Sequence, residues 1–352
     1  MGILRTILAL TVLINHSGLP FGIGTRNSVQ LFYIISGFLI SYILLNNKTY
    51  QDPVKFYANR CLRLYPVYYV VALLYLMACV IANPRFLDMY RTVPFDAYAL
   101  LVASNLFIFG QDWVMFLGIH NGSLTFVADY HDSAIVLCRG LLVPQAWTLG
   151  VELTFYLVAP FILRDKRKIF SLLSASLLLR VIFLRNGVGW EDPWTYRFFP
   201  LELGLFLFGA LSHQILLPIW EKFLQESKLK IDKIGVFFLI GLSIIYPWVP
   251  LAEMYKTLFL FIVFTLFVPL TFIFQNKSSI DRLVGELSYP LYIGHVFVIR
   301  VVDYLMDKFA FTNSFIIISM QILFSIIFAF LLDRIVARKV EKLRTRIKSA
   351  SY

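Results

Sequence analysis

Residues 5–16 read Arg-Thr-Ile-Leu-Ala-Leu-Thr-Val-Leu-Ile-Asn-His, an apolar run closed at each end by an ionisable side chain. At roughly 100° per residue, the separation of 11 positions returns Arg5 and His16 to within about 20° of one helix face. They then lie about 16 Å apart along the axis. An ionisable group at bilayer depth costs about 2.5 kcal/mol or more and ordinarily faces a bundle interior or a wet cavity. This face is therefore a functional candidate. A plainer reading stands beside it, with Arg5 snorkelling to the inner surface and His16 capping the outer end.

The rest of the chain sets that helix among others. Of 352 residues, 59% are hydrophobic and 15% charged, against about a quarter charged in soluble domains. Mean hydropathy is +0.75. Such a composition describes a polytopic, all-α membrane protein. The 34 Phe and 19 Tyr suit lipid-facing surfaces and interfacial belts. The net charge of +11 is gathered into short segments between apolar runs, a topology signal that argues against nucleic-acid binding. Three cysteines, Cys61, Cys79 and Cys138, lack metal-ligand spacing, so neither a disulfide framework nor a metal site is indicated; Cys79 and Cys138 share one side and are near enough in topology to pair. The first apolar run carries Arg5 and His16 and shows no clear small-residue cleavage site, so it reads as a retained span.

Apolar stretches predict about ten transmembrane helices, near 3–22, 29–46, 64–82, 147–163, 168–185, 198–217, 232–250, 257–275, 285–306 and 314–333. With the amino terminus inside, this count puts Lys48, Lys55, Arg60 and Arg63, the Arg-Asp-Lys-Arg-Lys at 164–168, Lys222, Lys228, Lys230 and Lys233, the segment around Lys277 and Arg282, and the tail on the cytoplasmic side. Both termini are then cytoplasmic. The apolar segment 97–109 would reverse that parity if it crossed, so it is predicted as a short non-spanning helix in a long outer loop, 83–146. That loop is rich in Asp, and Phe107, Phe109, Trp113, Phe116 and Phe126 favour packing over disorder. Residues 1–335 form one membrane domain, followed by a basic tail, 336–352.

Polar groups recur at both ends of the spans. Arg60 and Arg63 lie one turn apart at the start of the third span and can present two guanidinium forks to a phosphate, although two arginines at an inner helix end also satisfy the positive-inside pattern alone. Trp147-Thr-Leu-Gly-Val-Glu152 enters the fourth span with a carboxylate that can transfer a proton, orient a histidine or pair with an arginine. Arg197 opens a span containing Glu202, and His295 follows Ser288-Tyr-Pro-Leu-Tyr292 in the ninth. Trp190 and Trp194 lie shortly before Arg197 as sugar-stacking rings or interfacial anchors.

Taken in order, these segments resemble the acyltransferase-3 family of integral-membrane acyltransferases. Arg5 and His16 fit its Arg-x10-His pattern, Phe32 to Leu39 with Ser36 its Phe-x3-Ser-Gly-Phe-Leu, Arg60, Arg63, Tyr65 and Pro66 its basic motif, and Ser288, Tyr292 and His295 its late Ser-x3-Tyr-x2-His. Trp147, Leu149 and Glu152 fit Trp-Ser-Leu-x-x-Glu, with Thr148 and Gly150 replacing the usual serines. The resemblance implies O-acyl transfer, most often of acetyl, from cytoplasmic acetyl-CoA to a hydroxyl of an extracytoplasmic glycan or lipid-linked sugar such as O-antigen, lipopolysaccharide, capsule or exopolysaccharide. It further implies a multi-pass protein of the bacterial inner membrane. Within that reading Arg60 and Arg63, assisted by Arg5, take the donor, and His16 acts as general base with Glu152 orienting it. Ser36, Trp147, Arg197, Tyr292 and His295 are substrate-site candidates, and a cavity is expected to reach His16. A transporter is the alternative, disfavoured by the lack of an internal repeat or of paired Gly/Pro-broken helices.

Overall fold

The computed structural model describes residues 1–82, 85–226 and 231–349. Lys228, Lys230 and the last three residues of the basic tail lie outside the described residues. Helices form wherever the apolar runs predict them: α1 (Gly2–His16), α2 (Gly24–Asn46), α3 (Pro53–Ala82), α4 (Arg85–Thr92), α5 (Phe95–Phe107), α6 (Trp147–Ile162), α7 (Lys166–Arg185), α8 (Phe199–Leu211), α9 (Leu217–Glu226), α10 (Ile231–Ile245), α11 (Glu253–Lys277), α12 (Ser279–Glu286), α13 (Ser288–Lys308), α14 (Ser314–Leu332) and α15 (Arg338–Ser349). One π turn joins α8 to α9 and another joins α14 to α15. Among the described residues, 6 helices are long and apolar enough to cross a membrane. These are α2, α3, α8 with α9, α10 with the turn that follows it, α11, and α14 with most of α15.

Helix α5 has 13 residues, so it reaches about 20 Å, short of the roughly 30 Å of a hydrocarbon core. Its C-terminal carbonyls are taken by three tyrosines of α3: Tyr68 donates to Asn105 O at 2.9 Å, Tyr69 to Leu106 O at 2.5 Å, and Tyr65 to Phe107 O. The helix is thereby docked on α3, and the loop around it is packed, with Leu101, Ile108, Val114, Leu137 and Leu141 fully buried. The loop also holds an antiparallel hairpin, β1 (Leu117–His120) with β2 (Ser123–Phe126), a small departure from the all-α expectation. Its Asn121-Gly122 turn has positive φ at both positions, the conformation such a two-residue turn requires. Cys79 and Cys138 remain free, as does Cys61.

Two contacts set the frame of the bundle. A Cβ on Gly37 would stand 1.9 Å from Phe206 O, and one on Gly209 would stand 1.9 Å from Ile34 O. Helices α2 and α8 therefore touch backbone to backbone, as small residues permit in membrane bundles. At the start of α1, Asp281 of α12 accepts from Gly2 N at 2.7 Å and from Ile3 N at 3.0 Å, filling the otherwise unpaired donors of a helix N-terminus. That cap fixes α1 against α12 and α13. The register brings His16 beside His295.

Candidate active site

Six of the sequence candidates meet in one chamber. Arg5 of α1, Ser36 of α2, Arg60 and Arg63 of α3, Glu152 of α6 and Tyr292 of α13 line a cavity of about 90 Å³. A larger one, about 860 Å³, opens from it towards α15, and Arg5, Arg60, Arg63 and Tyr289 belong to the walls of both. Arginine side chains therefore form the neck between an open vestibule and a small inner chamber.

Inside the chamber, Glu152 Oε1 accepts from Ser36 Oγ and from Tyr156 Oη. Tyr156 was hidden in the sequence among the many aromatics, but it sits four residues after Glu152, the spacing that stacks two side chains on one helix face. Tyr289, one position after the predicted Ser288, donates to Leu64 O at 2.5 Å and walls the chamber from the α13 side.

The histidines pair with each other. His16 Nδ1 lies 2.8 Å from His295 Nε2, the rings stack with centroids 5.0 Å apart, and His295 Nδ1 reaches Tyr292 O at 2.7 Å. A carbonyl only accepts, so His295 carries its proton on Nδ1 and offers the Nε2 lone pair. His16 must then donate from Nδ1. Its Nε2 is left with a free lone pair, the state a general base needs. His295 is fully buried, whereas His16 is exposed. The structure thus corrects two expectations. The group that holds His16 is His295 and not Glu152, whose partners are hydroxyls. The chamber does not extend to His16 but ends at Tyr292, whose ring lies 5.9 Å from that of His295.

Trp147 and Arg197 form a separate cluster. Arg197 grips Asp192 through Nε and Nη2 at 2.6 and 2.9 Å, donates to Tyr196 Oη at 2.8 Å, and stacks its guanidinium 4.2 Å over Trp147. Its Nη1 is buried without a partner. Trp194 is an anchor in this structure, packed against Phe116, Phe126, Phe183 and Phe198 with its indole donating to Ala128 O at 3.0 Å. Trp190 is largely exposed.

Asp112, read from the sequence only as one loop charge among several, is buried against α6. Burial pushes its carboxyl up to about 7. A Cβ at Gly150 would stand 2.6 Å from Asp112 Oδ1. The glycine that departs from the serine pattern therefore makes room for a carboxyl group, whose Oδ1 has no partner among the described residues.

With this geometry in place, comparison with known proteins becomes informative. The family model described as "Acyltransferase domain" matches residues 1–334. The chain belongs to this acyltransferase family. Proteins of Staphylococcus aureus strains COL and MSSA476, each named "Putative O-acetyltransferase", are 26% identical over 92% of this chain and 54% of their own length. The peptidoglycan O-acetyltransferase OatA of Listeria monocytogenes is 29% identical over 45% of this chain and 22% of its own. The chain therefore spans about half the length of the staphylococcal relatives. No solved structure matches. The acyltransferase domain is a multi-pass membrane enzyme domain. Of the residues singled out from the sequence, Arg5, Ser36, Arg60, Arg63, Glu152 and Tyr292 line the chamber, His16 and His295 pair with each other, and Trp147 lies outside both groups.

Proposed function

We propose that this acyltransferase moves an acetyl group from acetyl-CoA, bound at the arginine-lined vestibule, to a hydroxyl of a glycan or lipid-linked sugar that approaches His16. One observation carries the reading. A line of polar side chains runs through an apolar bundle, from Arg60 and Arg63 through Glu152 and Tyr292 to His295 and His16.

The residues at the vestibule suit the donor. Arg60 is only 3% exposed, yet its Nε lacks a partner among the described residues, as does the neighbouring Asn59 Nδ2. Buried donors without acceptors favour a phosphate-bearing ligand. When bound, acetyl-CoA supplies an activated acyl group. The protein's own residues do the rest. Arg60 and Arg63 hold the anionic end at the neck. Arg5 keeps a positive charge beside Glu152, and Ser36 and Tyr156 hold that carboxylate in place. At the other end, His16 Nε2 accepts the proton of the acceptor hydroxyl as its oxygen bonds the thioester carbonyl carbon; the C–S bond breaks, coenzyme A leaves, and its thiolate takes up one proton to balance the one removed, while His295 orients the ring and receives the hydrogen bond from the imidazolium that forms. Arg197, whose buried Nη1 has no partner among the described residues, binds acceptor oxygens beside Trp147 in this reading.

In the membrane we assign ten spans, with both termini and the arginine vestibule on the cytoplasmic side and His16 on the outer side of a bacterial inner membrane. The charge distribution supports this, since the segments rich in Lys and Arg all fall on one side. A surface polysaccharide, O-antigen or capsule, is the acceptor class we favour.

The test compares base-labile acetate on surface polysaccharide from cells making the native protein or His16→Ala at equal membrane levels. Acetate ester with the native chain and a loss of at least about 100-fold with the variant is the expected result. Full activity in the variant overturns the role of His16, and no ester from either chain overturns acetyl transfer to that glycan.

A further inference from the structure

The tail helix α15 lies beyond residues 1–334, which the family model covers. It nevertheless folds back against α3. There it delivers Arg344, 9% exposed, to the side of Asn59 and Arg60. Asn59 Oδ1 accepts from both guanidinium groups, from Arg60 Nη2 at 2.6 Å and from Arg344 Nη2 at 3.1 Å. Two cations sharing one neutral acceptor repel each other, and Arg63 adds a third on the same cavity wall. Glu341 is bonded to Arg344 Nη1 and is itself 46% exposed, and Glu152, Glu286 and Asp333 add negative charge along the same walls, fewer than the arginines and lysines there.

Four buried polar groups in this cluster find no partner among the described residues: Tyr50 Oη, Asn59 Nδ2, Arg60 Nε and Arg344 Nε. All four can donate, and three of them can only donate. Leaving such donors dry is costly, most of all when they are charged. Tyr50, Arg60 and Arg344 line the vestibule. A set of convergent donors with excess positive charge is a site for a doubly or triply charged oxyanion.

We propose that Arg344 completes a phosphate site for the acyl-coenzyme A donor, so that the tail helix is part of the donor-binding surface of this chain. The site rests on the donor reading given above, which it extends to a residue outside the matched domain. Glu341 occupies the same guanidinium when no anion is present, and the arriving phosphate displaces it.

The experiment measures equilibrium binding of coenzyme A and of inorganic pyrophosphate to the purified full chain in nanodiscs, for the native protein, Arg344→Gln, Arg344→Lys and Glu341→Gln. Arg344→Gln is expected to weaken coenzyme A at least about tenfold. Arg344→Lys restores part of it, because it keeps the charge and loses the fork. Glu341→Gln is expected to tighten binding about threefold, a gain that a purely structural role for the tail does not produce. Should Arg344→Gln not fold, the lysine and Glu341 variants carry the test. Equal coenzyme A binding by native and Arg344 variants overturns the site and leaves the donor reading intact. Pyrophosphate binding that needs Arg344, with no coenzyme A binding by the native chain, keeps the anion site and overturns its assignment to an acyl donor. If neither probe binds the native chain, both are wrong.

Discussion

Glu152 and Glu202 both face α2, one held by hydroxyls beside a cavity and the other by a guanidinium in a closed core. Glu202, with no exposed surface, accepts from Arg180 at 2.7 Å and from Gln30 at 3.1 Å. Glu152 accepts from Ser36 and Tyr156 and borders the chamber with Arg5. Gln30 and Ser36 are less than two turns apart on the same helix. The first carboxylate is finished inside the protein. The second keeps its oxygens next to space that a substrate can enter. Buried charge that is fully paired reads as architecture, and partly buried charge with neutral partners and an adjoining cavity reads as chemistry.

The sharpest way to break this contrast is to neutralise each group in turn. Glu152→Gln keeps shape and hydrogen bonding, and it is expected to lower acyl transfer about 100-fold, or about 2.7 kcal/mol of barrier, with thermal unfolding nearly unchanged. Glu202→Gln leaves Arg180 without its anion and should cost about 2–3 kcal/mol of stability, while transfer per folded molecule stays within about twofold. Activity assays normalised to folded protein, beside thermal melts in detergent, separate the two. The distinction fails if Glu202→Gln silences a stable enzyme or if Glu152→Gln is active.

Smaller effects follow from the donors. Tyr156→Phe removes one of the two hydroxyls on Glu152, and transfer is expected to fall about tenfold with the fold intact. Gln30→Met, at the other carboxylate, should cost about 1 kcal/mol of stability and leave transfer as it was. A readout of kcat and melting temperature for both variants checks the pair.

Asp112 tests the same contrast in a carboxyl with neither an arginine nor a hydroxyl on Oδ1. Its folded value of about 7 lies above the 3.8 of an ordinary aspartate, so the folded state holds the proton more tightly than the unfolded chain. The stability this confers is complete below about pH 4 and is lost as pH rises through about 7. Asp112→Asn removes that dependence. Between pH 5 and 8 the native protein should lose on the order of 2–3 kcal/mol more than the variant, read as melting temperature against pH. Parallel curves would mean that Asp112 is ionised throughout.

The sequence makes the helices legible because a polar residue inside an apolar run has few reasons to be there. Arg5, Arg60, Arg63 and Glu152 stand out for that reason and Ser36 and Tyr292 through the family motifs, and all six line one chamber. The pairing of His16 with His295 was not visible, since 279 positions separate them and the Asp281 cap that sets their register is itself a long-range contact. Tyr156 was lost among 19 tyrosines. Asp112 looked like a solvated loop charge until Gly150 was seen to shelter it. Arg344 was covered by a simpler explanation, a basic tail on the inner side, that left its contacts unasked. The β1–β2 hairpin is short, and its turn signal was overshadowed by the apolar helix before it.

The glycine seam between α2 and α8 bears on how the enzyme must work. With Gly37 and Gly209 seating each helix on the other's main chain, a side chain at either position would drive into a facing carbonyl oxygen. The two helices form one packed pair, and both Ser36 and Glu202 ride on it. A bulkier residue in the seam would push that pair apart and displace the partners of both carboxylates at once.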